Sequence, residues 1–172
     1  MSKLTAEELV ERTLDGAYAL ALQLAGNSSD AWDLAQEALL RAVRSLPGFR
    51  GESDPKTWVY RIVVNVWKNK MKSRAWRWWR GLSSLGPDMP EPASQEPPLD
   101  RGLQRQEELE ALERCLAALE PEDRAALVLR ELDGKSYEEI SGILAVPMGT
   151  VKSRLYRARS ALARLLEKHD AA

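Results

Sequence analysis

Five of the chain's nine prolines, Pro87, Pro90, Pro92, Pro97 and Pro98, crowd into the stretch from Gly86 to Pro98. Proline lacks a backbone N–H and has a fixed φ, so a run this dense, mixed with Gly, Ser and acids and without apolar period, excludes a continuous helix or sheet interior. It reads as a linker. The 172 residues then divide into an N-terminal unit, 1–81, a linker, 82–105, and a C-terminal unit, 106–172, each unit large enough to fold alone. No internal repeat is visible. With 44% hydrophobic and 30% charged residues the composition is that of a soluble globular chain. No apolar run approaches the roughly 18 residues of a membrane span, and the opening MSKLTAEELVER is charged rather than signal-like. A cytoplasmic location without membrane insertion is expected. Cys115 and His169 are each the only residue of their type, which excludes an internal disulfide and leaves neither a structural zinc set nor a Cys/His nucleophile pair. No catalytic residue, metal, cofactor or small-molecule substrate is expected.

The formal net charge of −1 conceals large opposite contributions. Residues 1–40 carry a net −5, 41–80 a net +9, 81–123 a net −8 and 124–172 a net +3. From Met148 to Arg164 there are five cations, Lys152, Arg154, Arg157, Arg159 and Arg164, and no acid. Two basic segments alternating with two acidic ones suggest a polyanion held at two separated places. Solvated helix faces would produce the same runs.

Outside the linker the apolar period is helical, and no alternating run is long enough to argue for a sheet. The expected class is all-α. Leu4 to Ala25 reads as one or two helices. The turn Gly26-Asn27-Ser28-Ser29 supplies a cap for a second helix, from Ser29 or Asp30 to Leu46, which Pro47-Gly48 stops. The loop Phe49 to Pro55 leads to a third helix from Lys56 or Thr57 to Ser73. In the C-terminal unit, Gln104 to Leu119 places Leu109, Leu112, Leu116 and Leu119 on one face, and Pro121 to Leu132 gives a further helix ended by Asp133-Gly134.

Ser136-Tyr137-Glu138-Glu139 is a capping box, so a helix starts there. It turns Ile140, Ile143 and Leu144 inward and is cut short by Ala145-Val146-Pro147; a second helix follows Gly149, with Thr150 as its cap. This is helix-turn-helix spacing. At 100° per residue, Val151, Leu155, Ala158 and Leu162 cluster within about 60° as a buried stripe. Lys152, Ser153, Tyr156, Arg157 and Arg159 are left outside. Cations, a hydroxyl and a phenol on one exposed face suit a major groove, with its phosphates, guanine edges and thymine methyls. An ordinary basic surface helix is the plainer alternative.

The stretch from Leu119 to Leu166, with REL-DG-SYEEI and VP-GTVKSRLYRAR, resembles region 4 of bacterial sigma factors of the extracytoplasmic-function (ECF) group, within the sigma-70 family. The resemblance implies that the second helix reads a minus-35 promoter element through Thr150, Lys152, Ser153, Tyr156 and Arg157, with Arg130 as a further contact. Ala145 stands where many members have a turn glycine, and at φ > 0 alanine is the costlier residue.

The resemblance extends to the N-terminal unit, where Ala17 to Arg74 looks like region 2. Asp30 to Ala42 (DAWDLAQEALLRA) matches the family's DAEDLVQEAFLRA pattern, with Trp32 in place of an acid. In that family the helix docks on the clamp helices of the polymerase β′ subunit. Asp33, Gln36, Glu37, Leu40 and Arg41 lie three to four residues apart and form one ridge, while Leu34, Ala38 and Val43 face inward. FRGES (Phe49 to Ser53), TWVYRI (Thr57 to Ile62) and Asn65 match segments that capture an unstacked base of the minus-ten element. Unstacking a base costs a few kcal/mol, which aromatic faces and a fixed amide can offset. Phe49, Tyr60 and Asn65 are the candidate base contacts. Arg50, Arg61, Lys68, Lys70, Lys72 and Arg74 are candidates for phosphates. Trp58 and Trp67 are read as packing residues. The cluster Trp76, Trp78 and Trp79 has no counterpart in the pattern, and a packing role is preferred for it.

The resemblance implies a non-enzymatic specificity subunit of RNA polymerase: two helical domains on a flexible, acidic tether. Its partners would be the β′ clamp helices and β flap of core polymerase, promoter DNA and an anti-sigma factor. The alternative is a helix-turn-helix repressor or activator that binds an operator by itself. That reading gives FRGES, TWVYRI and the Asp30 to Ala42 helix no role.

Overall fold

The computed structural model describes residues 3–73 and 100–171; Arg74, the Trp76, Trp78 and Trp79 cluster and the Pro-rich stretch lie outside them. Among the described residues all regular structure is helical, as expected. The N-terminal unit contains α1 (Ala6–Ala25), α2 (Ser28–Ser45) and α3 (Pro55–Lys72), with a 3-10 turn at Leu46–Gly48. The C-terminal unit contains α4 (Asp100–Ala117), α5 (Pro121–Leu127), α6 (Tyr137–Leu144) and α7 (Met148–Asp170). Helix α4 begins inside the stretch expected to be linker.

Local chemistry explains the boundaries. Thr5 and Glu8 form a capping box on α1, and Gly26, at φ 82°, ends it in the left-handed region. The Asn27 side chain accepts from the Asp30 N–H at 2.9 Å and starts α2. Asp54 caps α3, with Pro55 at the first helical position, where its missing N–H has no partner to lose. The capping box expected at Ser136 is present: Ser136 Oγ accepts from the Glu139 N–H at 3.1 Å, and Glu139 Oε2 from the Ser136 N–H at 2.7 Å. The bond from the Ser136 N–H outweighs a small opposing effect of burial and holds the Glu139 carboxyl below the usual range. Helix α5 passes into a π-type turn over Val128–Leu132, where the Asp133 N–H reaches back to the Val128 carbonyl at 3.1 Å.

Two expectations need correction. Thr150 does not cap α7, because that helix starts earlier, after Pro147, and Thr150 lies in its first turn. Proline is well suited to the position before the first turn, and the turn begins as soon as its fixed φ allows. Around α4, Leu116 and Leu119 are buried and Leu112 packs against the core as expected, but Leu109 is exposed, and Ala111 and Cys115 join the buried side. Helix α4 packs mainly along the C-terminal helix α7.

Helices α1, α2 and α3 pack around Leu9, Leu20, Leu24, Leu34, Val63 and Trp67; α5, α6 and α7 pack around Leu127, Leu129, Ile140, Ile143, Val151 and Leu155. The buried apolar residues of the two units form one continuous cluster. Helix α3 makes the junction, packing against α1 and α2 on one side and against α5 and α6 on the other.

Two backbone positions carry testable strain. A Cβ built at Gly16 in α1 would lie 2.5 Å from the Tyr60 hydroxyl, so α1 and α3 approach closely only because residue 16 has no side chain. Gly16→Ala should destabilise the fold by about 1–3 kcal/mol in urea unfolding, and the loss should shrink when Tyr60→Phe removes that hydroxyl; equal losses in both backgrounds would place the strain elsewhere. Ala145, at φ 54°, is the only non-glycine residue with positive φ among the described ones. Ala145→Gly should therefore raise stability by about 0.5–1 kcal/mol, the left-handed penalty less the glycine's extra chain entropy; an unchanged or lowered unfolding midpoint would contradict this.

Candidate nucleic-acid interface

On α7 the apolar period buries Val151, Leu155 and Ala158 against α5 and α6, which leaves the opposite side to water. Lys152, Ser153 and Tyr156 stand on that side, with Tyr156 74% exposed. Ser153 Oγ donates to the Thr150 carbonyl at 3.0 Å, and Thr150 itself is half-buried. The expected reading face is therefore assembled, but two of its arginines have partners. Arg157 donates through Nη2 to Asp123 Oδ1 at 2.9 Å and through Nε to Oδ2 at 3.2 Å, a two-pronged pair on a carboxylate that is almost fully buried. Arg159 Nε donates to Glu131 at 3.0 Å. The carboxylates hold both guanidiniums still further into the charged form. Arg130 lies in the π-type turn, donates to the Lys135 carbonyl at 2.9 Å and sits 4.9 Å above the Tyr137 ring.

In the N-terminal unit the ring of Phe49 stacks on Trp58, centroids 4.6 Å apart at 30°. Trp58 is thus part of an aromatic platform as well as of the packing. Together with Arg50 and Arg61 these rings line an open cleft of about 570 Å³. Arg50 and Asn65 are exposed.

Tyr60, expected as a base contact, is instead 5% exposed. Its ring lies against Gly16 with the Lys135 ammonium 5.0 Å from its centroid. Burial and the Asp133 carboxylate raise the phenol's pKa. The reason is the helical period: position 60 falls next to Val59 and Val63 on the side of α3 that meets α1 and Lys135, so in this packing no base can stack on it. Several phosphate candidates are also engaged. Arg61 donates to the Gly142 carbonyl of α6 from Nη2 at 2.6 Å and Nε at 3.2 Å, and Lys68 Nζ lies 3.4 Å from Glu122. Trp67 is buried, as expected of a packing residue.

On α2, Asp33, Gln36, Leu40 and Arg41 are exposed along one ridge, and Leu34 and Ala38 face the core. Glu37, half-buried within the ridge, contacts Arg41 at 2.6 Å and Lys70 at 3.2 Å. Burial opposes its charge, but the two cations outweigh it and hold the carboxyl below the usual range. Trp32 is exposed and meets Tyr18 edge-on, centroids 5.0 Å apart.

Sequence reasoning missed Asp123, Glu131 and Gly142, the groups that hold Arg157, Arg159 and Arg61. Their partners are 28 to 81 positions away, so no local spacing marks them. The only signal was the acid-rich stretch ending at Asp123.

A family model described as Sigma-70 region 2 matches residues 9–77, and one described as Sigma-70, region 4 matches residues 109–162. The chain is 36% identical over 168 residues to the ECF RNA polymerase sigma factor SigE of Mycolicibacterium smegmatis, covering 95% of this chain and 62% of that protein. It is 41% identical over 143 residues to the ECF RNA polymerase sigma-E factor of Escherichia coli, covering 78% of this chain and 73% of the other. Among solved structures, the sigma factor RpoE of Bartonella quintana, crystallised in complex with the anti-sigma factor NepR, aligns at a TM-score of 0.65 with 28% identity over 94% of this chain and 96% of that one. With both halves of the helical architecture matched in order, the chain belongs to the ECF sigma factors of the sigma-70 family, bacterial transcription initiation factors.

Proposed function

We propose that residues 1–81 act as region 2, binding core polymerase and the minus-ten element, and residues 106–172 as region 4, reading the minus-35 element. The observation that carries this is the pairing of two separate exposed surfaces on one chain: the α7 face of Lys152, Ser153 and Tyr156, and the α2 ridge of Asp33, Gln36, Leu40 and Arg41. An operator-binding repressor needs the first and has no use for the second.

In this reading α7 enters the major groove as duplex-binding helix. Lys152 neutralises phosphate, Tyr156 offers its edge to a thymine methyl, and Arg157, still largely exposed while braced by Asp123, reads a guanine edge. The brace fixes one face of the guanidinium and leaves the rest of the fork outward. The α2 ridge packs on the β′ clamp helices, and region 4 also meets the β flap. At the minus-ten element, Phe49 and Trp58 form a stacking wall for a flipped base, Asn65 supplies an amide, and Arg50, Arg61 and Lys68 hold the backbone. An anti-sigma factor is its regulator in this reading, supported by kinship with the Bartonella relative, which was crystallised with one. Among the described residues no helix is long and apolar enough to cross a membrane.

Abortive transcription with purified core polymerase tests this function: start sites selected only when the chain is added support it, and specific, tight operator binding without core would favour the repressor. Within that assay two side chains should behave differently. Lys152→Ala should weaken promoter binding evenly across sequences and lower the slope of log K against log salt by about 1. Arg157→Ala should cost about 1–3 kcal/mol and relax the preference at one upstream base pair. Unchanged base preference with reduced thermal stability would reduce Arg157 to a brace for Asp123.

A further inference from the structure

Helices interlock along rows of side chains four residues apart, and the outer side of α2 carries two such rows. Asp33, Glu37 and Arg41 form one, in which Glu37 is engaged by Arg41 and by Lys70 of α3. Trp32, Gln36 and Leu40 form the other, and all three are exposed, the indole by 49%. At 1.5 Å of rise per residue, Trp32 and Leu40 stand about 12 Å apart along the helix. At its N-terminal end this row meets α1, where the Tyr18 ring stands edge-on to Trp32, centroids 5.0 Å apart at 75°. Leu22, one turn beyond Tyr18 on α1, is exposed as well. Position 32 is an acid in the ECF pattern, so this chain has exchanged a hydrated charge for a large apolar side chain and set a second ring against it.

An indole half in water gains by being covered, and one already held by a neighbouring ring gives up little side-chain freedom when that happens; both are properties of an interface anchor. We propose that Trp32, flanked by Tyr18 and Leu22, is an apolar anchor that extends the core-polymerase contact from α2 onto α1. The inference rests on the sigma-factor reading of the α2 ridge, and continuity commits it to the β′ clamp helices as the occupant. At the shallow crossing of coiled-coil packing, about 20°, a helix seated on Gln36 and Leu40 passes over the residue one turn away in the same row. Whatever covers the ridge in that way covers Trp32. The chemistry of the contact differs from the one the family pattern implies. An acid at position 32 attracts a cation on the partner and is screened by salt, whereas an indole matches an apolar side chain and responds little to ionic strength. The clamp helix that suits this chain therefore presents an apolar residue opposite Trp32.

The test is competition of full-length variants against a dye-labelled wild-type chain for purified core polymerase, at low and at high salt. Trp32→Ala should weaken binding about tenfold, or about 1.4 kcal/mol, at either salt, with the unfolding midpoint of the free chain unchanged because the side chain is exposed. Trp32→Phe should recover most of the loss. Trp32→Glu, which restores the acid of the pattern, should bind with a steeper fall in affinity as salt rises than the wild type shows. Tyr18→Ala should weaken binding less in the Trp32→Ala background than in the wild type, the coupling expected if the ring acts by holding the indole. As a second readout, Trp32→Cys in a Cys115→Ala chain should react with a maleimide at least about tenfold more slowly in the complex with core than alone. Unchanged core affinity for Trp32→Ala, or equal alkylation with and without core, would overturn the anchor. So would self-association of the wild-type chain in sedimentation that Trp32→Ala abolishes while core affinity stays intact, which would give the patch to a second copy of this chain. The wild-type titration keeps the two readings apart. A wild-type chain that does not bind core defeats the functional reading and the anchor with it, whereas wild-type binding that Trp32→Ala leaves intact defeats the anchor alone.

Discussion

Helix α3 is asked to be interior twice. Val59, Val63, Val64, Val66, Trp67 and Met71 are all buried along its length, far more than a surface helix with one apolar stripe needs. One side completes the three-helix packing with α1 and α2, and the other receives α5 and α6. What remains for polar contact is narrow, and Arg61, Asn65, Lys68 and Lys70 share it. The structure follows from that allocation. Gly16 is bare so that Tyr60 can fit against α1. The cations left over at the seam are matched to the nearest carbonyl, carboxylate or ring.

Charge follows the same logic. The alternation of acidic and basic stretches becomes, in three dimensions, a set of short pairings: Asp123 with Arg157, Glu131 with Arg159, Glu122 with Lys68, and Glu37 with Arg41 and Lys70. Most are at least partly exposed, where an ion pair contributes little to stability. Their effect is on orientation. The buried Asp123 is the exception, because a carboxylate withdrawn from water needs its partner, and that need holds Arg157 at the edge of the proposed reading face.

Much of the fold was legible locally. The cap at Ser136, the capping turn Gly26-Asn27-Ser28-Ser29, the breaks at Pro47 and Pro121, and the apolar stripe of α7 depend on residues within four positions of one another, which is the range over which sequence pattern speaks. Long-range placement was not. Tyr60 lies in a segment whose motif suggested a base contact, yet nothing in TWVYRI says which flank of the helix meets α1. Of the leucines expected on one face of α4, only Leu109 is left exposed by the packing, with Ala111 and Cys115 buried beside the others. The Thr150 error was of a different kind: a good capping residue was chosen over a proline that already ends the turn. That the α7 face and the α2 ridge are exposed follows from helical period, whereas the partners of Arg61, Arg157 and Arg159 come from other helices and leave no local pattern.

The strained residue and the seam are neighbours, which ties local to global structure. Ala145, held at φ 54°, ends α6 three residues after Gly142, and its N–H returns to the Ser141 carbonyl, as does that of Val146 at 3.2 Å. Ser141 Oγ adds a bond to the Val146 carbonyl. With the Ser141 carbonyl taken by its own turn, that of Gly142 is the next acceptor in line at the helix end and faces α3. The sharp left-handed stop that sets α6 against α7, and so shapes the helix-turn-helix, also terminates the hydrogen-bond ladder at the point where Arg61 arrives. A gentler turn that prolonged α6 would engage that carbonyl within the helix and leave the α3 arginine without its acceptor. The geometry that presents α7 outward and the geometry that closes α6 on α3 thus derive from the same four residues.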